Sequence, residues 1–476
     1  MPPSTCLRSF SRLSIDASAP RLRPQVAFFT TSAARNATAP KRKGMTAAPK
    51  KGVKSLNTKK GKKAAAADTG KRPAQGERKA LRKRIVLSNN NALEVSSLKN
   101  LSKENVLSEQ NEGKVMGLPE EEVVDALRAV DAFKPTQGWG LFRRPAVLMR
   151  KEAIQVAKLL KEVEDSRAGQ HKKTIRRILS GERMSGKSTL LLQGLSMGFL
   201  REWFVINLPE AQDIVNAHTE YAPLPDSNPV QYTQDTYTAN LLQQIQKSNG
   251  GFLKATKLST TPTLPVPLQS KATLNELVAL GITNPEASWP VFAALWNELS
   301  QPGRPPIMLA VDGLSHIMRN SEYFSAEVKP IHAHDLTIIR HFIDHLSGQK
   351  QLPNGGLVLA ATSKSNSPTS AALDFCIEVA EARQSTPDDV PQWNPYKKVD
   401  ARVMEVLKDL NSDSKDFDVI QVGGLTKEEA RAIMEYYAES GLLRHTVNEG
   451  FVSEKWSLAG MGNIGELERT SVRLRI

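Results

Sequence analysis

The run Gly181-Glu182-Arg183-Met184-Ser185-Gly186-Lys187-Ser188 matches G-x-x-x-x-G-K-[ST] at every fixed position. No other feature restricts the fold so tightly, because this turn grips phosphate only when a β-strand leads into it and a helix leaves it. Both flanks are present. Thr174 to Ser180 reads as a short strand, and Leu190, Leu191, Leu192, Leu195, Met197, Phe199 and Leu200 give the following helix an apolar body. Gly181 and Gly186 supply backbone angles that other residues resist. The amides from Glu182, Arg183, Met184 and Ser185 through to Thr189 can then turn inward on a β-phosphate. Lys187 adds a point charge for the β and γ oxygens, and the Ser188 hydroxyl is a magnesium ligand.

Such a loop needs a second, acidic residue to hold the metal. Ile307-Met308-Leu309-Ala310-Val311-Asp312 supplies it as five apolar residues ending in a carboxylate. That pattern predicts a buried parallel strand with Asp312 at its C-terminal edge, where α/β sheets place their ligands. Residue 313 is Gly, where ATPases of the AAA+ type often carry a water-activating Glu, so slow or absent hydrolysis is expected. Trp203 to Leu208 and Gly356 to Ser363 read as further strands of the same sheet. Thr362 and Ser363 end the latter, either as a polar γ-phosphate sensor or as ordinary strand-end hydroxyls. The alternation predicts an α/β fold with a doubly wound, mostly parallel sheet of the P-loop NTPase kind.

Upstream, Leu118 to Glu122 opens a helix with acids in its first turn and an apolar stripe of Val123, Val124, Leu127 and Val130. The aromatics of Phe133 to Phe142 are expected in the core. Downstream, Thr426-Lys427-Glu428-Glu429 is a capping box, and its helix should end at Gly441. Leu442 to Arg444 and Trp456 to Leu458 are expected as short strands around a turn at Asn448-Glu449-Gly450. Arg469 is placed within reach of a bound phosphate or, more simply, in solvent.

Charge is unevenly distributed. Residues 41–84 hold 17 Lys/Arg against two acids, whereas 42 basic and 47 acidic residues follow position 84. The basic character therefore belongs to a tail, and the mildly acidic body argues against a nucleic-acid-binding surface overall. Residues 1–35 carry five Arg and one acid among Ser and scattered apolar residues, the composition of a mitochondrial transit peptide. The stretch after it lacks the apolar surface that ordering requires, so it should be disordered when free and drawn to phosphate-rich surfaces; the same composition also suits a solubilising linker. Two cysteines, Cys6 and Cys376, exclude a disulfide framework. No apolar run approaches the length of a membrane span.

Over residues 115–476 the chain resembles the death-associated protein 3 family of the mitochondrial ribosomal small subunit. The likeness rests on Phe133-Lys134 with Gln137-Gly138-Trp139, the Gly181 to Ser188 loop, Trp203 to Pro209, Leu309 to Gly313, and Gly462-Asn463 with Glu466-Leu467-Glu468-Arg469. The resemblance implies an AAA+-like domain in the head of the small subunit, facing the large subunit, with small-subunit proteins and rRNA as partners in the mitochondrial matrix. It also implies guanine nucleotide, GTP or GDP, with Mg. The chain has no Asn-Lys-x-Asp guanine-reading motif, so ATP or ADP stays open. The expected organisation is a transit peptide (1–35), a basic tail (36–88), a helical N-terminal extension (89–165), the nucleotide-binding domain (166–385) and a small C-terminal lid (386–476). An active NTPase switch of the matrix is the competing function.

Overall fold

The computed structural model describes residues 85–473 apart from 120, 169–171, 270–271, 366, 386–389, 397 and 412–415. The expected transit peptide and residues 36–84 of the expected tail lie outside the described residues. Residues 85–88 belong to the body instead, because Leu87 is buried and Ile85 packs beside it. Ile85-Val86-Leu87 has apolar surface to hide, which the lysine-rich stretch before it lacks.

Five parallel strands form the central sheet: β1 (Thr174–Gly181), β2 (Phe204–Leu208), β3 (Ile307–Asp312), β4 (Gly356–Ala361) and β5 (Phe417–Val422). Their spatial order is β5-β1-β4-β3-β2. Side chains alternate between two cores, as a parallel sheet covered on both faces requires. Phe204, Ile206, Ile307, Leu309, Val311, Val358 and Phe417 face one core. Val205, Met308, Ala310, Leu357, Leu359 and Ile420 face the other.

On that second face lie α1 (Glu121–Ala129), α2 (Lys151–Ala168) and α3 (Lys187–Leu200), which contribute Leu127, Leu160 and Leu192. The first face is covered by α4 (Asp235–Ser248), α5 (Leu274–Thr283), α6 (Ser288–Leu299), α7 (Thr337–Ser347) and α8 (Ala371–Ser385). No described helix is long and apolar enough to cross a membrane.

The C-terminal part differs from the expectation in two ways. First, β5 falls within the residues expected to form a separate lid, yet it pairs with β1 from Phe417↔Arg176 to Val422↔Gly181 and completes the sheet edge. Second, the strands expected at 442–444 and 456–458 are absent. Residues beyond β5 form α9 (Lys427–Glu439), α10 (Glu449–Leu458) and α11 (Ile464–Ser471). Asn448, read as a turn residue, is the N-cap of α10 and accepts from the Phe451 amide. The capping box of α9 forms as expected, with Thr426 and Glu429 bonding reciprocally. These helices share a third core with Phe142 and Leu148 from the N-terminal side. Phe142 stacks on Tyr436 and Tyr437 at 5.1 and 5.5 Å between centroids.

Candidate functional site

The sheet register sets the site. Ala361 at the end of β4 is level with Leu179 of β1 on one side and Asp312 of β3 on the other. With strands about 4.8 Å apart, the ends of β1 and β3 stand roughly 10 Å from each other across β4. The loop leaves β1 at Gly181, and the acid ends β3, so both reach the same edge of the sheet.

Backbone geometry explains the two glycines. Gly181 has φ of +150°, and a Cβ there would lie 2.3 Å from the Val422 carbonyl oxygen of β5. Gly186 has φ of +100° and is the N-cap of α3. A Cβ at 186 would meet only Ile464 Cγ2, at 3.4 Å, so conformation rather than space demands glycine.

The side chains of the loop divide by burial. Glu182, Arg183 and Met184 are exposed, Ser188 and Thr189 half-buried, and Ser185 and Lys187 buried. The Lys187 ammonium donates to the carbonyls of Gly181 at 2.8 Å and Glu182 at 2.6 Å. Burial pushes its pKa down to about 8, with Lys364 adding repulsion while Glu182 and Asp312 oppose the shift. The pull of Asp312 on Lys187 brings the acid and the loop into one electrostatic site. The Ser185 hydroxyl is buried without a hydrogen-bond partner among the described residues.

These residues fit an anion. The 14-residue helix α3 begins with no side-chain cap on its first turn, leaving amides that a phosphate can satisfy. A cation partly stripped of water and a spare hydroxyl stand beside that turn. They also fit magnesium in part: Ser188 and the buried Asp312 supply two hard oxygen ligands, the number this ion usually takes from protein when phosphates complete its shell. Among the described residues, no group of three His, Cys, Asp or Glu side chains is gathered to hold a metal by protein alone.

Several contacts around the loop were not foreseen from sequence. Arg150, buried, donates to the Ser185 carbonyl at 3.3 Å and to the carbonyls of Gly423 and Gly424 at 3.1 and 3.3 Å, tying the loop to the turn after β5. Asn463 donates to the Arg183 carbonyl at 2.7 Å, and the Gly465 amide to the Met184 carbonyl at 3.1 Å. From the N-terminal side, Gln137 donates to Thr189 Oγ1 at 3.3 Å. Lys134 reaches Asp312 Oδ2 at 3.4 Å. The residues at 134, 137 and 463 lie in segments that carried the family resemblance; Arg150 had no signal in sequence at all. Lys364, just past β4, pairs with Glu182 at 3.1 Å and lowers that carboxyl's pKa.

Other expectations resolve plainly. Thr362 uses its hydroxyl to donate to the Leu179 carbonyl at 3.0 Å, and Ser363 donates to Ser365, so both are engaged in local backbone bonds. Arg469 is solvent-exposed, 3.8 Å from Glu466. Phe133 and Trp139 are core residues packed edge to face.

A profile of the family described as mitochondrial ribosomal death-associated protein 3 matches residues 147–470. The Neurospora crassa small ribosomal subunit protein mS29 is 44% identical over 405 residues, spanning 84% of this chain and 83% of that protein. Among solved structures, the Aeropyrum pernix ORC2 protein in its ADP form aligns over 67% of this chain and 60% of that one, with 13% identity and a TM-score of 0.31. The E. coli MS115-1 HORMA:CdnC:Trip13 complex aligns over 73% and 80%, with 11% identity and a TM-score of 0.28.

Proposed function

The chain belongs to the mitochondrial ribosomal death-associated protein 3 family, and from that premise we propose that it is a structural component of the small subunit that binds a purine nucleotide. It acts in the mitochondrial ribosome of the matrix. Its partners there are ribosomal; the head position and the contact with the large subunit come from the resemblance alone.

The observation that carries the nucleotide reading is the start of α3, which has no side-chain cap and is flanked by buried Lys187 and by a Ser185 hydroxyl without a partner among the described residues. On this reading the loop is a P-loop. The α3 amides bind the β-phosphate, and Lys187 exchanges the two loop carbonyls for phosphate oxygens. Ser188 and Asp312 would hold magnesium, which neutralises phosphate charge when bound. The N-terminal extension and the C-terminal helices close over the loop through Gln137, Asn463 and Gly465, the role expected of a lid.

Slow or absent turnover follows from Gly313, whose φ of +88° starts the short helix Leu314–Ile317 and whose position holds no base. The nucleotide then stabilises the fold. A ligand at about a thousand times its dissociation constant contributes about 4 kcal/mol. One observation favours the switch reading: His316 is a buried imidazole beside Gly313, and burial depresses its pKa. Single-turnover assays on assembled small subunits separate the two. Hydrolysis well above the uncatalysed rate, abolished by Lys187→Ala, would establish the switch; nucleotide recovered intact supports the structural role.

A further inference from the structure

The Asp312 carboxylate already has a cation beside it. The Lys134 ammonium lies 3.4 Å from Asp312 Oδ2 and 3.8 Å from Glu210 Oε1, and it donates to the Pro209 carbonyl. Three oxygens from the ends of two sheet strands thus surround one nitrogen. The pair is shielded from water: the Lys134 and Asp312 side chains are 14% and 11% exposed.

Lys134 is also held from behind. Its amide donates to Gln137 Oε1 at 2.9 Å, and the Trp139 indole donates to the same oxygen at 2.5 Å. Gln137 in turn donates to Thr189 in the first turn of α3. The Phe133 and Trp139 rings, 5.2 Å apart, anchor the turn in the core. The same short turn therefore touches both halves of the candidate site, the acid through Lys134 and the loop helix through Gln137. A solvated surface lysine has none of this support.

We propose that Lys134 is a tethered cation at Asp312, a positioning residue that competes with divalent metal for the carboxylate and lets the chain keep its nucleotide with little dependence on magnesium. The inference rests on the nucleotide reading above. Its physical basis is that two cations cannot closely share one partly buried carboxylate without strong repulsion. The tethered charge is never diluted, so the site keeps positive charge when free magnesium falls. The ammonium brings a single charge and no ligand geometry, so it supports binding of phosphate without arranging an attacking water.

The test uses the full chain with Lys134→Met, Lys134→Arg, Asp312→Asn and the Lys134→Met/Asp312→Asn pair. Fluorescent mant-GDP and mant-ADP report nucleotide affinity, in millimolar magnesium and in EDTA. The wild type should lose less than about threefold on removing magnesium and Lys134→Met more than about thirtyfold, with Lys134→Arg close to wild type. Manganese binding without nucleotide, read by electron paramagnetic resonance, should be weak in the wild type. Lys134→Met should gain a manganese site that the double variant loses. A wild type that loses affinity in EDTA as steeply as Lys134→Met overturns the proposal, as does unchanged manganese affinity in Lys134→Met. If neither nucleotide binds the wild type, the nucleotide reading fails, and the manganese titration still decides the role of Lys134. Should Lys134→Met not fold, a tight wild-type manganese site that Asp312→Asn removes is itself contrary to the proposal.

Discussion

At the scale of single residues, the two loop glycines make different demands. Gly181→Ala drives a Cβ into the Val422 carbonyl oxygen, a backbone atom that cannot step aside without disturbing the β5–β1 pairing. We expect it to destabilise the fold by about 3 kcal/mol or more, whereas Gly186→Ala, with open space and only an unfavourable φ, should cost about 1 to 2 kcal/mol. Urea denaturation of both variants checks the order, and equal losses would contradict it. Lys187→Ala should remove the thermal stabilisation that added nucleotide gives the wild type. A melting temperature that still rises with nucleotide in Lys187→Ala would remove the lysine from the site. Gly181, Gly186, Lys187 and Asp312 were legible in sequence because each is fixed by local chemistry, a turn or a strand end. Lys134 and Arg150 were not, because their partners lie 178 and 35 residues away and no spacing rule joins them.

At the scale of elements, the helices beyond β5 and the loop depend on each other. Asn463 caps α11 by accepting from the Glu466 amide while its side-chain nitrogen donates to the Arg183 carbonyl of the loop. Gly465 admits the close approach, since a Cβ there would meet Met184 Cβ at 2.8 Å. Gly465→Leu should therefore weaken nucleotide binding, by about tenfold or more, through displacement of the loop rather than loss of any phosphate contact. Fluorescence titration measures it, and wild-type affinity in Gly465→Leu would show that α11 is a bystander. The strands β2 to β4 were readable from their apolar runs, which only burial on both faces explains, and β1, interrupted by Arg176 and Arg177, from its place just before the glycine loop. β5 was not, because it is an edge strand in which Asp418 and Gln421 interrupt the apolar residues. α10 was misread because its N-cap Asn448 and Gly450 resemble a turn, and the cap only reveals itself through the Phe451 amide.

At the scale of the whole molecule, buried histidines give stability a pH dependence. Burial lowers the pKa of His332 and His345, that of His334 to about 3, and that of His341 well below its ordinary value. The folded chain then binds fewer protons than the unfolded chain, whose histidines titrate near 6.5. Their contribution is complete above that pH and is lost as pH falls below it toward 3. For two fully neutral histidines the loss between pH 7.5 and 5 is about 4 kcal/mol. Denaturant titrations at pH 7.5 and 5 check this, and the slope should shrink in His341→Phe, a ring that already packs against Phe292 and Trp296. Outside the described residues, deletion of 41–84 should weaken association with the small subunit in a salt-sensitive way, and an unchanged salt profile would count against RNA contact. The central claim is that the Gly181–Ser188 loop grips nucleotide within the assembled particle. Density around this loop in native mitochondrial small subunits tests it most directly. A di- or triphosphate seated on the first amides of α3, with Lys187 turned toward it, is the predicted result. A well-ordered loop with Lys187 still folded onto the Gly181 and Glu182 carbonyls and no nucleotide beside it would contradict the account.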